Sequence, residues 1–134
     1  MLRNIAAVIA GLVVGMIVNM ALIQLNTVFF PLPEGVDMMD TAQMKEAIKS
    51  MPPTGWILVI AAHLGQAFVG GWVAARLGAS RVMMLAMIVG ALSLAGGIAN
   101  AVMLASPTWT WIEMPLYLMV AWLAGRKEVA RRAT

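Results

Sequence analysis

Cysteine does not occur in this chain of 134 residues, and histidine and tyrosine occur once each. The first absence excludes disulfides, dithiol redox chemistry and thiolate metal centres. A single histidine with no cysteine leaves a haem short of its usual pair of axial ligands. Charge is scarce too: Asp, Glu, Lys and Arg make up 11% of the chain, against about 25% in soluble domains. Because 62% of the residues are hydrophobic and the mean hydropathy is +0.88, too little polar surface remains to clothe a water-soluble core. Such a composition calls for lipid as the solvent.

The few charges are clustered. None stands between Asn4 and Pro33, between Ser50 and Ala75, between Val82 and Ile112, or between Met114 and Gly125. A helix that crosses about 30 Å of hydrocarbon needs about 20 apolar residues, so the first two gaps predict spans over roughly residues 5–30 and 56–76. Ser106-Pro107-Thr108 is a turn signal. It divides the rest into a span over 82–105 and a shorter one over 109–125, with Glu113 in its first turns and Pro115 just after. The expected fold is an all-α integral membrane protein, one domain over 1–134 built as a four-helix transmembrane bundle. The first apolar run is longer than a signal-peptide core and lacks a small-x-small cleavage site, so it is expected to be retained.

Lys and Arg gather on the cytoplasmic side of membrane spans. Four spans put Arg3, Arg76, Arg81, Arg126, Lys127, Arg131 and Arg132 on one side, seven of the nine basic residues. The other side receives Lys45 and Lys49, offset by Glu34, Asp37, Asp40 and Glu46. Both termini are therefore expected in the cytoplasm, in a multi-pass protein of the cell's inner membrane. The aromatic residues agree with this frame: Phe29, Phe30, Trp56, Trp109 and Trp111 fall at outer span ends, and Trp72 and Trp122 just before Arg76 and Arg126. The basic tail, 126–134, is explained by orientation alone, and any attraction to anionic lipid should be weak and salt-sensitive.

The extracytoplasmic loop, 31–54, holds a predicted short amphipathic helix from Thr41 to Met51. Asp40 is its N-cap and Gln43 the other half of a capping box. Met44, Ala47, Ile48 and Met51 share one face, suited to lying on the outer membrane surface or to lidding the bundle. The acidic residues Glu34, Asp37 and Asp40 match no calcium-loop spacing. The 13 methionines are spread through all the spans and lack the His or Cys partners that copper would require, so they read as adaptable packing.

Each predicted span also carries a stripe of small and polar residues at helical spacing. In the first it runs Asn4, Ala7, Gly11, Gly15, Asn19, Asn26; in the third it includes Gly90, Ser93, Gly97 and Asn100. Small residues let helix backbones approach closely in lipid, which marks Gly11, Gly15, Gly70, Gly90 and Gly97 as packing positions. Gly11 and Gly15 suit contact within the chain or between copies.

The polar members of the stripes lie deep. His63 and Glu113 are the only ionisable residues expected inside the membrane, and such residues are candidate functional groups by default. They are predicted to face each other across the second and fourth spans, with Tyr117, Gln66, Asn100, Asn19 and Gln24 completing a polar lining in the outer half. The same residue types also act as hydrogen-bond glue between helices. No catalytic set, metal site, cofactor or nucleic-acid partner is expected. The leading functional expectation is a structural or accessory protein that oligomerises or joins a larger membrane complex, in contact with membrane lipid. The alternative is a small transporter or channel with an outward-facing vestibule built on His63 and Glu113.

Overall fold

The computed structural model describes residues 1–134 and is helical throughout its regular structure. Its helices are α1 (Leu2–Phe29), α2 (Thr41–Ala47), α3 (Pro53–Leu77), α4 (Val82–Met103) and α5 (Met114–Ala133), with 3-10 turns over Ile48–Ser50 and Thr108–Glu113. α1, α3 and α4 are each long and apolar enough to cross a membrane. α3 is the central helix and packs against α1, α4 and α5. One end of the bundle carries Arg3, Arg76 and Arg131; the other carries the long loop and α2.

Large and small residues are distributed inside out relative to a soluble protein. The buried positions are mostly Ala and Gly, among them Ala62, Ala67, Ala74, Ala86, Ala121 and Ala124, each without exposed surface. Bulky apolar side chains such as Ile9, Val13, Ile17, Ile57, Leu92 and Met119 point outward. In water that arrangement would forfeit the hydrophobic drive. In lipid it costs nothing, because close backbone approach supplies the packing.

The tightest seam joins α1 to α3. A Cβ at Gly15 would stand 2.6 Å from the Gln66 carbonyl oxygen, and one at Gly70 would stand 2.7 Å from that of Gly11. The Gly11 and Gly15 surface is thus taken up inside the chain and is not free for contact between copies. α4 and α5 use the same device, with Gly90 against Ala121 and Gly97 against the ring and hydroxyl of Tyr117.

Three sequence expectations change. The predicted span 109–125 is not α-helical from its start: Thr108–Glu113 is a 3-10 helix, and the α-helix begins at Met114. Pro115 sits in the first turn of α5, where its missing N–H and fixed φ are tolerated, and it would break a helix begun at Trp109. The segment 126–134 is not a separate tail, because α5 continues to Ala133. Glu128 accepts from Arg131 Nε and Arg132 Nε at 2.9 Å each, and these i,i+3 and i,i+4 pairs carry the helix onward. In the loop, the predicted helix from Thr41 to Met51 stops at Ala47 and tightens into a 3-10 turn, ahead of Pro52 and Pro53.

The Asp40 cap is present: its carboxylate accepts from the Ala42 and Gln43 amides at 2.9 and 3.1 Å. The Gln43 amide above all holds the Asp40 carboxyl below its ordinary range. The Gln43 side chain does not close the capping box on the Asp40 amide; it donates to the Asp40 carboxylate and accepts from the Asp37 amide.

The basic end is tied by hydrogen bonds to the last carbonyls of α3, which lack helical partners. Arg132 Nη2 donates to Ala75 O at 2.8 Å and Gly78 O at 2.9 Å, and Arg3 Nε donates to Leu77 O at 2.9 Å. Asn4 Oδ1 accepts from the Ala79 amide in the turn beyond. Arg126 stacks on Trp122, 4.7 Å from its ring centre. Of the four basic residues after Gly125, three are therefore engaged within the chain, which favours an orienting and structural role over lipid recognition.

Candidate functional site

α1 and α4 run in the same direction on either side of α3. At the basic end they close together: Ala7 of α1 joins Leu85 and Val89 of α4 in one apolar cluster, with Val8 and Leu12 packed against it. Toward the loop end they part, leaving a cavity of about 600 Å³, within the usual range for small-molecule pockets. Met38, Met39, Met44 and Met51 from the loop segment roof it.

Among the walls are His63 and Gln66 of α3, Asn19 and Gln24 of α1, Asn100 of α4 and Tyr117 of α5. All but one of the residues expected in the polar lining therefore reach the same space. Glu113 does not line it. It stands behind His63, with its carboxylate oxygens 3.1 and 3.3 Å from His63 Nδ1, and is buried to 3% exposure. The imidazole is thereby oriented with Nε2 as the ring nitrogen left for the cavity. Tyr117 stacks on the other side of the imidazole, ring centres 6.3 Å apart, so the ring is fixed between a carboxylate and an aromatic face.

Local sequence explains the placement. The 3-10 turn before Pro115 swings Glu113 toward α3, whereas an α-helix from Trp109 would have carried it on a different rotation. Gly97 leaves room for the Tyr117 hydroxyl, where any Cβ would collide. Edge-on packing of Trp56 against Trp109, 6.4 Å between centres, holds the start of α3 to the turn that carries Glu113.

No protein family, curated protein or solved structure matches this chain. The chemistry of the site rests on its own geometry.

Two wall residues outside the predicted lining are Asn26 and Ser93. Both lay on the small and polar stripes of their helices, the only sequence signal that could have singled them out. Ser93 lies deeper than the outer polar residues, and the cavity reaches down to it. Asn26 Oδ1 and Ser93 Oγ are buried and have no hydrogen-bond partner in the protein. No group of His, Asp and Glu suited to hold a metal ion forms. What the arrangement offers is a wall of carboxamides, hydroxyls and one carboxylate-backed imidazole facing a flexible methionine surface, a setting for binding through directed hydrogen bonds.

Proposed function

We propose that this is a four-span protein of the cell's inner membrane, with both termini cytoplasmic, and that its outer half is the binding vestibule of a small transporter or channel subunit without catalytic activity. The observation that carries the reading is the cavity, open toward the loop end, walled by the His63–Glu113 pair and closed toward the basic end by Ala7, Leu85 and Val89.

Support for the fourth span comes from its length. Thr108–Glu113 at about 2.0 Å per residue and Met114 to Gly125 at about 1.5 Å per residue together reach about 30 Å, the hydrocarbon thickness. The basic residues after Gly125 then lie beside Arg3 and Arg76, as the positive-inside bias requires.

Two measurements test the vestibule. The chain has no native cysteine, so single cysteines report cleanly. In intact cells Asn100→Cys is expected to react with a membrane-impermeant maleimide added outside, while Met83→Cys, near the basic end, stays protected. An inert Asn100→Cys contradicts an outward-open vestibule. The pair itself is tested by a double-mutant cycle on thermal stability in detergent with His63→Leu and Glu113→Gln. A coupling energy of about 1–3 kcal/mol is expected for groups in contact, since a charge at this depth is costly without its partner; additive effects would mean that the two do not interact.

The accessory reading keeps one supporting observation. α1 leaves Ile9, Val13, Met16 and Ile17 more than half exposed, an apolar face available to lipid, to a second copy or to a larger membrane complex.

A further inference from the structure

Six of the 13 methionines and the only histidine share the wall of the large cavity. In sequence no methionine stands at helical spacing from His63, which is why the methionines read as packing alone. The fold removes that separation. Met38, Met39, Met44 and Met51 roof the cavity, and Met16 and Met20 line it from α1. Met20 lies near the depth of the histidine. A Cβ at Gly65 would meet the Leu22 and Val18 side chains at 3.4 and 3.6 Å, so Met20, midway between those two, is level with Gly65 and about 3 Å from His63 along the helix axis.

His63 is presented as a metal ligand is. Its Nδ1 faces the Glu113 carboxylate at 3.1 and 3.3 Å, and an ionised carboxylate only accepts, so Nδ1 carries the hydrogen and Nε2 offers its lone pair to the cavity. A carboxylate on the far nitrogen is the usual support of a metal-bound imidazole: it fixes the ring, sets the tautomer and makes the ligating nitrogen more basic. Stacking on Tyr117 holds the ring from a second side.

The donor set selects the ion. His, Asp and Glu form no ligand group of their own, so the thioethers would supply the remaining bonds. Thioethers are soft ligands that favour copper(I), whereas calcium and magnesium call for carboxylate oxygens, and no Asp or Glu lines the cavity. Charge selects as well. Glu113 is 3% exposed and His63 is its ionic partner. With a neutral imidazole, a monovalent ion at Nε2 brings the row of ion, ring and carboxylate to neutrality, and a divalent ion would leave a net charge among largely apolar walls.

We infer that the cavity binds one soft monovalent metal ion of the copper(I) class through His63 Nε2 and methionine thioethers, with Glu113 positioning the imidazole and balancing the charge. The inference rests on the vestibule reading and names the class of substrate. The roof methionines are the first thioethers an ion meets from the loop end, and their unbranched side chains can turn inward to complete its coordination.

The test uses the full chain in nanodiscs, anaerobic and free of chloride, with silver(I) as a redox-inert probe and copper(I) supplied from a chromophoric chelator. One tightly bound ion per chain is expected, and X-ray absorption of the copper-loaded protein should show sulfur and imidazole nitrogen in the first shell. Removing the pair together, by His63→Leu with Glu113→Gln, should weaken binding about a hundredfold, and Glu113→Gln alone, which keeps the imidazole, about tenfold. Leucine at all six cavity methionines, a nearly volume-conserving exchange, should abolish tight binding, whereas Met84→Leu with Met87→Leu, outside the cavity wall, should change nothing. Zinc(II) should not displace silver(I). A first shell of nitrogen and oxygen alone, displacement by zinc(II), or an affinity that survives loss of the pair or of the six methionines would each overturn the inference. Absent binding with external labelling of Asn100→Cys intact rejects the metal ion and leaves the vestibule standing; if Asn100→Cys is also inert, both readings fail.

Discussion

Gly11→Ile is expected to detach α1 from α3. At Gly11 a Cβ would strike the Gly70 carbonyl oxygen and stand 2.9 Å from the Ala74 Cβ. Neither obstacle is the movable end of a side chain, so a branched residue can be admitted only by separating the helices. Overpacking in a well-packed core costs about 1–3 kcal/mol, and a backbone obstacle places this case at the upper end, about 3 kcal/mol. α1 remains apolar enough to stay in a membrane by itself, so the expected product is an opened bundle. A disulfide between Val18→Cys and Gly65→Cys reads this out, because a Cβ at Gly65 lies 3.6 Å from the Val18 side chain, within bonding reach of a second cysteine. Oxidative crosslinking should be efficient in the parent background, lost with Gly11→Ile, and unaffected by Gly96→Ile, where a side chain meets open space. Crosslinking that survives Gly11→Ile would mean that the seam is looser than its backbone contacts imply.

Glu128→Gln should be the most damaging charge substitution. The Glu128 carboxylate has no exposed surface and faces Arg76, Arg131 and Arg132, and Arg132 also holds the last carbonyls of α3. Losing one member of a buried pair typically costs about 3–5 kcal/mol. Here the arginines are partly exposed and water can rehydrate them, so about 2 kcal/mol is expected. The hydrogen bond from Arg131 leads the effects that hold the Glu128 carboxyl down at about 2, from an ordinary 4.5. A carboxyl depressed in the folded state contributes stability above its unfolded value and loses it as pH falls through its folded one. Thermal stability of the parent protein should therefore drop by this contribution between about pH 4.5 and 2, and the Glu128→Gln protein should lack that component. Identical acid profiles would remove Glu128 from the lock.

Much of this framework was readable from the chain because charge and hydropathy act locally. The charge-free runs give α1, α3 and α4 nearly to their ends, and the Asp40 cap follows from residue type and spacing. Pro115 was visible too, but its consequence depends on whether the turn before it finds partners. Thr110 Oγ1 donates to Pro107 O at 2.7 Å and stabilises a 3-10 turn in place of a first α-turn. Glu128 illustrates a different limit: its i,i+3 and i,i+4 arginines are local and legible, whereas Arg76 and the α3 carbonyls arrive only through the fold. The depth of His63 and Glu113 could be counted along the helices. Their 3.1 Å approach depends on helix rotation, as does the turning of Asn26 and Ser93 into a common wall, and rotation is set by which glycines meet which carbonyls.

The side of the membrane on which Thr134 lies tests the four-span, outward-open bundle most directly, because a span count of three or four places it on opposite sides. Thr134→Cys, in a chain without other cysteines, should resist a membrane-impermeant maleimide in intact cells and react fully after lysis, while Met39→Cys in the loop reacts in both. Labelling of Thr134→Cys in intact cells would put the end of α5 outside and contradict the four-span bundle.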